Sequence, residues 1–259
     1  MTYPLPPTDM LMMPQALQYQ FTLMQIPLVI LSAAFCLWGA KKHQSLVPVW
    51  MFLSGGIAYM GEPLVNVLGL VWYPPQGINA VFESMGRPVP WFGFLAYLWF
   101  LGGMSFFVYD RMKKGMTTRS LWRLYAILVV VETLLEVPGL NMDVYTYYGN
   151  QPFVFMKSQI WWPFLNATSP MVAGALVYRM LPFIKPALRP ITIYSVPLAN
   201  AMVMGGAGLP VEFVLNTDAG LAVTHLMGAL TIALALFMIY MVTLLAATDS
   251  KANMRQASL

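Results

Sequence analysis

Residues 46–72 read LVPVWMFLSGGIAYMGEPLVNVLGLVW: a long apolar run with one acid, Glu62, and no base. A helix needs roughly 20 apolar residues to cross a bilayer core of about 30 Å. This stretch is long enough, so its reading decides the fold. The surrounding chain repeats the pattern. It has 259 residues, 59% hydrophobic and 9% charged, with mean hydropathy +0.65. A soluble domain carries about a quarter charged residues.

Seven apolar segments are expected to form transmembrane helices, at about 18–40, 46–72, 89–109, 120–142, 159–182, 191–216 and 219–247. The expected architecture is all-α: one polytopic membrane domain over 1–259, with an outer N-terminal segment at 1–17 and a cytoplasmic tail at 248–259. No strand alternation competes, and lipid excludes open sheets. The N-terminus lacks a basic n-region and does not read as a cleaved signal peptide.

Orientation follows from the bases. Lys41, Lys42, Arg111, Lys113, Lys114, Arg119, Arg123, Arg179, Lys185, Arg189, Lys251 and Arg255 fall on one side, which leaves Arg87 and Lys157 opposite. The positive-inside rule makes the basic side cytoplasmic and the N-terminus external. The pI of about 9.1 therefore reflects topology, and no nucleic-acid partner is implied. The expected location is a bacterial cytoplasmic membrane or the endoplasmic reticulum.

The acids segregate the other way, with only Asp110 and Asp249 on the basic side. Three helices end in an acid followed by an asparagine: Glu62 and Asn66, Glu136 and Asn141, Glu212 and Asn216. A proline, Pro63, Pro138 or Pro210, lies within two residues of each acid. Glu132 and Glu136 stand at i, i+4 and share a helix face. A carboxylate at membrane depth costs several kcal/mol unless it is paired, hydrated or protonated. Glu62, Glu136, Glu212 and Asp218 are expected to face one polar cavity. Each could instead cap backbone groups freed by its neighbouring proline.

Aromatic residues gather at the same end: Trp72 and Tyr73, Trp91 and Phe92, Tyr145, Tyr147 and Tyr148, Trp161 and Trp162. Such residues form interfacial belts, and their faces can also stabilise a cation. Acids beside rings suit protonation of an alkene or epoxide, followed by sheltering of the carbocation. A carboxyl must be neutral to donate a proton, and burial favours the neutral form.

A chain of this length, with seven expected helices, Glu62 late in the second and Asp218 at the end of the sixth, resembles the small membrane-bound terpene cyclases of meroterpenoid pathways. The resemblance spans the whole chain and rests on architecture and acid placement. It implies an isoprenoid or other lipid-like substrate, with Glu62 and Asp218 as the general acid and its partner. Glu136, Glu212, Asn66, Asn141 and Asn216 would be further polar groups of the pocket. Trp72, Tyr73, Tyr145, Trp161 and Trp162 would be its cation-stabilising walls.

Other signals are sparse. His225 has no second histidine near it, so no metal or haem set is expected, and no cofactor is implied. No nucleotide fingerprint occurs. Asn166 begins a glycosylation sequon, but inside the fifth segment, where it is discounted. The glycine-rich 205–208 is expected to bend the sixth helix or let a neighbour approach. A proton-coupled transporter or channel and a non-catalytic lipid-binding subunit are the competing readings.

Overall fold

A computed structural model describes residues 4–256, with side chains described through 246. The chain is 73% helical. Helix falls into seven runs that match the seven apolar segments. The first is α1 (Gln15–His43). The second is α2 (Val47–Ala58), a 3-10 turn (Tyr59–Gly61) and α3 (Glu62–Leu68). Strand β1 (Val71–Trp72) and the β2–β3 hairpin (Ala80–Ser84, Arg87–Pro90) follow. The third run is α4 (Trp91–Ala96), a π-helical stretch (Tyr97–Gly103) and α5 (Met104–Lys113). The fourth is α6 (Thr118–Asn141), then β4 (Thr146–Tyr147), β5 (Val154–Phe155) and β6 (Ser158–Gln159). The fifth is α7 (Trp161–Met180) with a 3-10 turn. The sixth is a 3-10 stretch (Pro186–Tyr194), α8 (Ser195–Met202), a second π stretch (Val203–Gly208) and α9 (Leu209–Leu215). The last is α10 (Leu221–Gln256). The side chains of the expected tail at 248–259 lie outside the described residues, as do residues 1–3.

Five of these helical segments are long and apolar enough to cross a membrane: Gln15–His43, Trp91–Lys113, Thr118–Asn141, Pro186–Leu215 and Leu221–Ala246. Their outer surfaces carry large apolar side chains, such as Leu31 and Leu37 on α1 and Leu226 and Phe237 on α10, exposed as lipid-facing residues would be. Helix α7 is the centre: it packs on α5, α6, α8 and α10 and is buried along most of its length.

The loops depart from the expectation of a strand-free chain. Three short antiparallel ladders pair β1 with β4, β2 with β3 and β5 with β6. The two hairpins turn through Met85–Gly86 and Met156–Lys157, all four at positive φ. Left-handed backbone at both turn positions matches the twist of paired strands. Runs this short leave little periodicity to read.

The second run breaks where α2 meets the π stretch of the third. A Cβ on Gly55 would collide with the carbonyl of Tyr97, and one on Gly102 with the carbonyl of Phe52. Glycine at both sites lets two backbones touch. Residues 205–208, expected to bend a helix, lie within the second π stretch, a common site of helix distortion.

Candidate functional site

Where α3, the first π stretch, α6 and α7 meet beneath the β1–β4 ladder, a cavity of about 120 Å³ opens among them. It receives three carboxyls: Glu62 from the start of α3, and Glu132 and Glu136 from one face of α6. All three are buried. The 3-10 turn before Glu62 and Pro63 in the first turn of α3 set the break that presents this side chain. Pro at a helix start sacrifices no helical hydrogen bond.

Hydroxyl and amide donors satisfy the acids. The Tyr97 hydroxyl donates to Oε2 of Glu62 at 2.6 Å, and Tyr73 to Oε1 at 3.4 Å. The Asn166 amide donates to Glu132. Glu136 accepts from the Tyr147 hydroxyl at 2.7 Å and from Ser158 at 3.2 Å. Burial, then the neighbouring Glu136 carboxyl, holds the Tyr145 and Tyr147 phenols well above the usual tyrosine range. Burial, then Glu62, does the same for Tyr73. These tyrosines therefore remain protonated donors at neutral pH.

No base enters the site. Arg87 donates to the Tyr148 hydroxyl at 2.6 Å and lies over the Trp72 ring, while Lys157 pairs with Asp143 at 2.7 Å. Both bases are thus engaged in the loops, Arg87 buried and Lys157 exposed, and among the described residues the glutamates have no cation. Asn66 is fully buried at the cavity wall one turn after Glu62, and neither polar atom of its amide makes a hydrogen bond of ordinary geometry. Phe21, Phe92, Phe100, Tyr73, Tyr145 and Trp162 supply the aromatic wall. Tyr73 and Tyr145 stand 5.4 Å apart between centroids, and Tyr147 and Trp162 meet edge-on at 5.6 Å.

The common cavity expected for four acids forms only in part. Glu62 and Glu136 share it, with Asn66, Tyr73, Tyr145 and Trp162. Asp218 does not: it is exposed in the turn between α9 and α10, beyond the helix end that would have aimed it inward. Glu212 is buried elsewhere, below the second π stretch, and neither carboxyl oxygen has a hydrogen-bond partner among the described residues. Asn141 and Asn216 act as caps. Each donates to the carbonyl four residues earlier, Val137 or Glu212, and to a second segment, at Met156 in the β5–β6 turn or Leu68 at the end of α3. Trp72 bonds the Met10 carbonyl, and Trp161 is held by Gln151; neither lines the cavity. His225 accepts from the Phe153 amide and packs on that ring, away from the site.

Tyr97 and Asn166 are site residues that the sequence did not point to, and Glu132 and Tyr147, noted there for their placement, were not assigned to the pocket they line. The i, i+4 spacing to Glu136 marks Glu132. Asn166 is a lone amide in an apolar helix, where the sequon drew attention from its depth. Among the described residues, no cluster of His, Cys, Asp and Glu is grouped closely enough to hold a metal ion. No protein-family model matches the chain, and neither a curated protein nor a solved structure matches it.

Proposed function

We propose that the chain is an integral-membrane enzyme with seven spans, its basic loops cytoplasmic, that initiates cyclisation of a prenyl-chain substrate by proton transfer. One observation carries the reading: Glu62, Glu132 and Glu136 converge, without a cation, on one aromatic-walled cavity. Three carboxyls that converge without a cation repel one another when ionised, so the cluster favours holding protons it can lend.

In the proposed reaction, Glu62 gives its proton to an epoxide oxygen or terminal olefin. On an epoxide, the C–O bond breaks and its electron pair stays on oxygen as a hydroxyl. The carbocation is attacked by the next double bond, and the aromatic faces shelter each successive cation. A carboxylate of the α6 pair takes the final proton, so the product is an isomer of the substrate. Tyr97 and Tyr73 hydrogen-bond the Glu62 carboxylate left behind, which favours donation. The partner assigned to Asp218 by resemblance thus moves to Glu132 and Glu136, because only they share the Glu62 cavity. The acid cavity shares no lining residue with the cavity at the basic end, which supports a one-ended pocket over a transport path.

The test is detergent-purified protein incubated with epoxidised and plain prenyl chains, read by chromatography and mass spectrometry. An isomer of unchanged mass and altered retention is expected, and Glu62→Gln removes it. Folded wild-type protein that converts neither class of chain would overturn the reading.

A further inference from the structure

The opposite end of the bundle holds a second cavity, of about 190 Å³. It is lined by His43, Ser45, Tyr109, Lys113 and Arg189 against Val47, Pro48 and Leu181. Among the described residues, charge at this end is arranged around one acid. Asp110, buried on α5, is engaged by Lys114 and, at 3.3 Å, by His43. Lys42 lies over the Trp38 ring and Arg111 over Phe107.

Arg189 and Lys113 have no such engagement. Among the described residues neither forms an ion pair, and the guanidinium of Arg189 makes no hydrogen bond although its Nε is buried. A buried charged donor left unpaired costs free energy that a bound acceptor would recover. The Tyr109 hydroxyl also makes no hydrogen bond among the described residues, and it lines the same cavity as Arg189. Ser45 stands just before α2, and its Oγ accepts from the Val47 amide at 3.4 Å, which leaves the hydroxyl proton free to donate into the cavity. Guanidinium, ammonium, phenol and hydroxyl thus converge on one hollow, and the one carboxylate beside it among the described residues, Asp110, is already paired.

We infer that this cavity binds a phosphate group, carried on a lipid headgroup or free in solution. Arg189 would take two phosphate oxygens through its planar fork. Lys113 supplies the second charge from the rim, and Tyr109 and Ser45 donate to the remaining oxygens. Basic pockets between helices at the cytoplasmic side of membrane proteins bind anionic headgroups. The inference does not depend on the chemistry proposed for the glutamates.

The test uses the full chain in detergent, titrated separately with short-chain phosphatidylglycerol and inorganic phosphate, with binding read by native mass spectrometry and calorimetry. At least one probe is expected to bind. Arg189→Gln should weaken it about tenfold, the worth of one charge-assisted hydrogen bond. Arg111→Gln removes the same charge outside the cavity and should leave binding unchanged. Lys113→Gln, at an exposed position that folding does not depend on, should weaken binding in the same direction. Binding of the lipid alone assigns a headgroup site; binding of inorganic phosphate as well assigns a site for the phosphate itself. Failure of both probes to bind folded wild type, or equal weakening by Arg189→Gln and Arg111→Gln, would overturn the inference.

Discussion

Tyr97 and Glu62 are joined by a 2.6 Å hydrogen bond between two broken helices. Tyr97 opens the π stretch of one run, and Glu62 opens α3 just past the 3-10 turn of another. Both distortions lie at this contact. Regular helices would have continued past each other and pointed the two side chains elsewhere.

This pairing sets the first prediction. Glu62→Gln should lower isomer formation by about 10²-fold or more, the usual worth of a positioned acid, with little change in melting temperature. Tyr97→Phe should lower it by a smaller factor and retain product identity. Side-by-side turnover and thermal melts check both. Equal activity in Glu62→Gln and wild type would remove Glu62 from the chemistry.

Asp218→Asn should behave differently. The side chain is exposed in a turn outside the cavity, so turnover should stay within about twofold of wild type, a change worth less than about 0.5 kcal/mol. A loss comparable with that of Glu62→Gln would restore the pairing implied by resemblance.

Glycine packing gives a third prediction. Gly55→Ala and Gly102→Ala each drive a methyl into a backbone carbonyl of the facing segment. Each should destabilise by about 1–3 kcal/mol, as overpacking does. Gly205→Ala, which meets open space, should not. Detergent melts of the three variants check the contrast.

Asp110 is buried while its partners, Lys114 and His43, are exposed and half-buried, so Asp110→Ala should cost about 1–3 kcal/mol, the worth of a lost charge-assisted hydrogen bond whose other partner can still reach water. Asp110→Asn should cost less. Denaturant or thermal unfolding in detergent measures the difference.

Alkaline stability gives a fifth prediction. Folding holds the Tyr73, Tyr145 and Tyr147 phenols above their unfolded values. Their contribution is therefore complete below the unfolded tyrosine pKa of about 10. Above that pH the unfolded phenols ionise first, and the contribution is lost as pH rises towards the folded values. Melting temperature should fall above about pH 10, and Tyr147→Phe should make the fall shallower. An unchanged slope in that variant would show that other groups set it.

Much of the helical plan was legible. Hydropathy alone bounds α1 and α6 to within a few residues, because lipid-facing helices need apolar residues on most sides; α10 continues to Gln256, past the expected end at 247, because a polar helix can leave the apolar run without a break. Glu62 and Glu136 were legible for the same reason, as acids out of place. Pro63 marks the break at Tyr59–Gly61, but local pattern carried no information on the π stretch at Tyr97–Gly103, where Gly55 and Gly102 meet backbones distant in sequence. Asp218 and Glu212 were misplaced because proximity to a helix end says nothing about the direction in which a side chain leaves it. Asn66, Asn141 and Asn216 follow one written pattern yet divide into a cavity amide and two caps. Only tertiary contacts separate those uses.

The β1–β4 ladder sets Val71 across from Tyr147, and Tyr73 follows directly after β1. Parting those two loops would pull Tyr147 from Glu136 and Tyr73 from Glu62 in a single motion. One short ladder thus carries both phenols, so the two acids on separate helices share a single point of support in the loops.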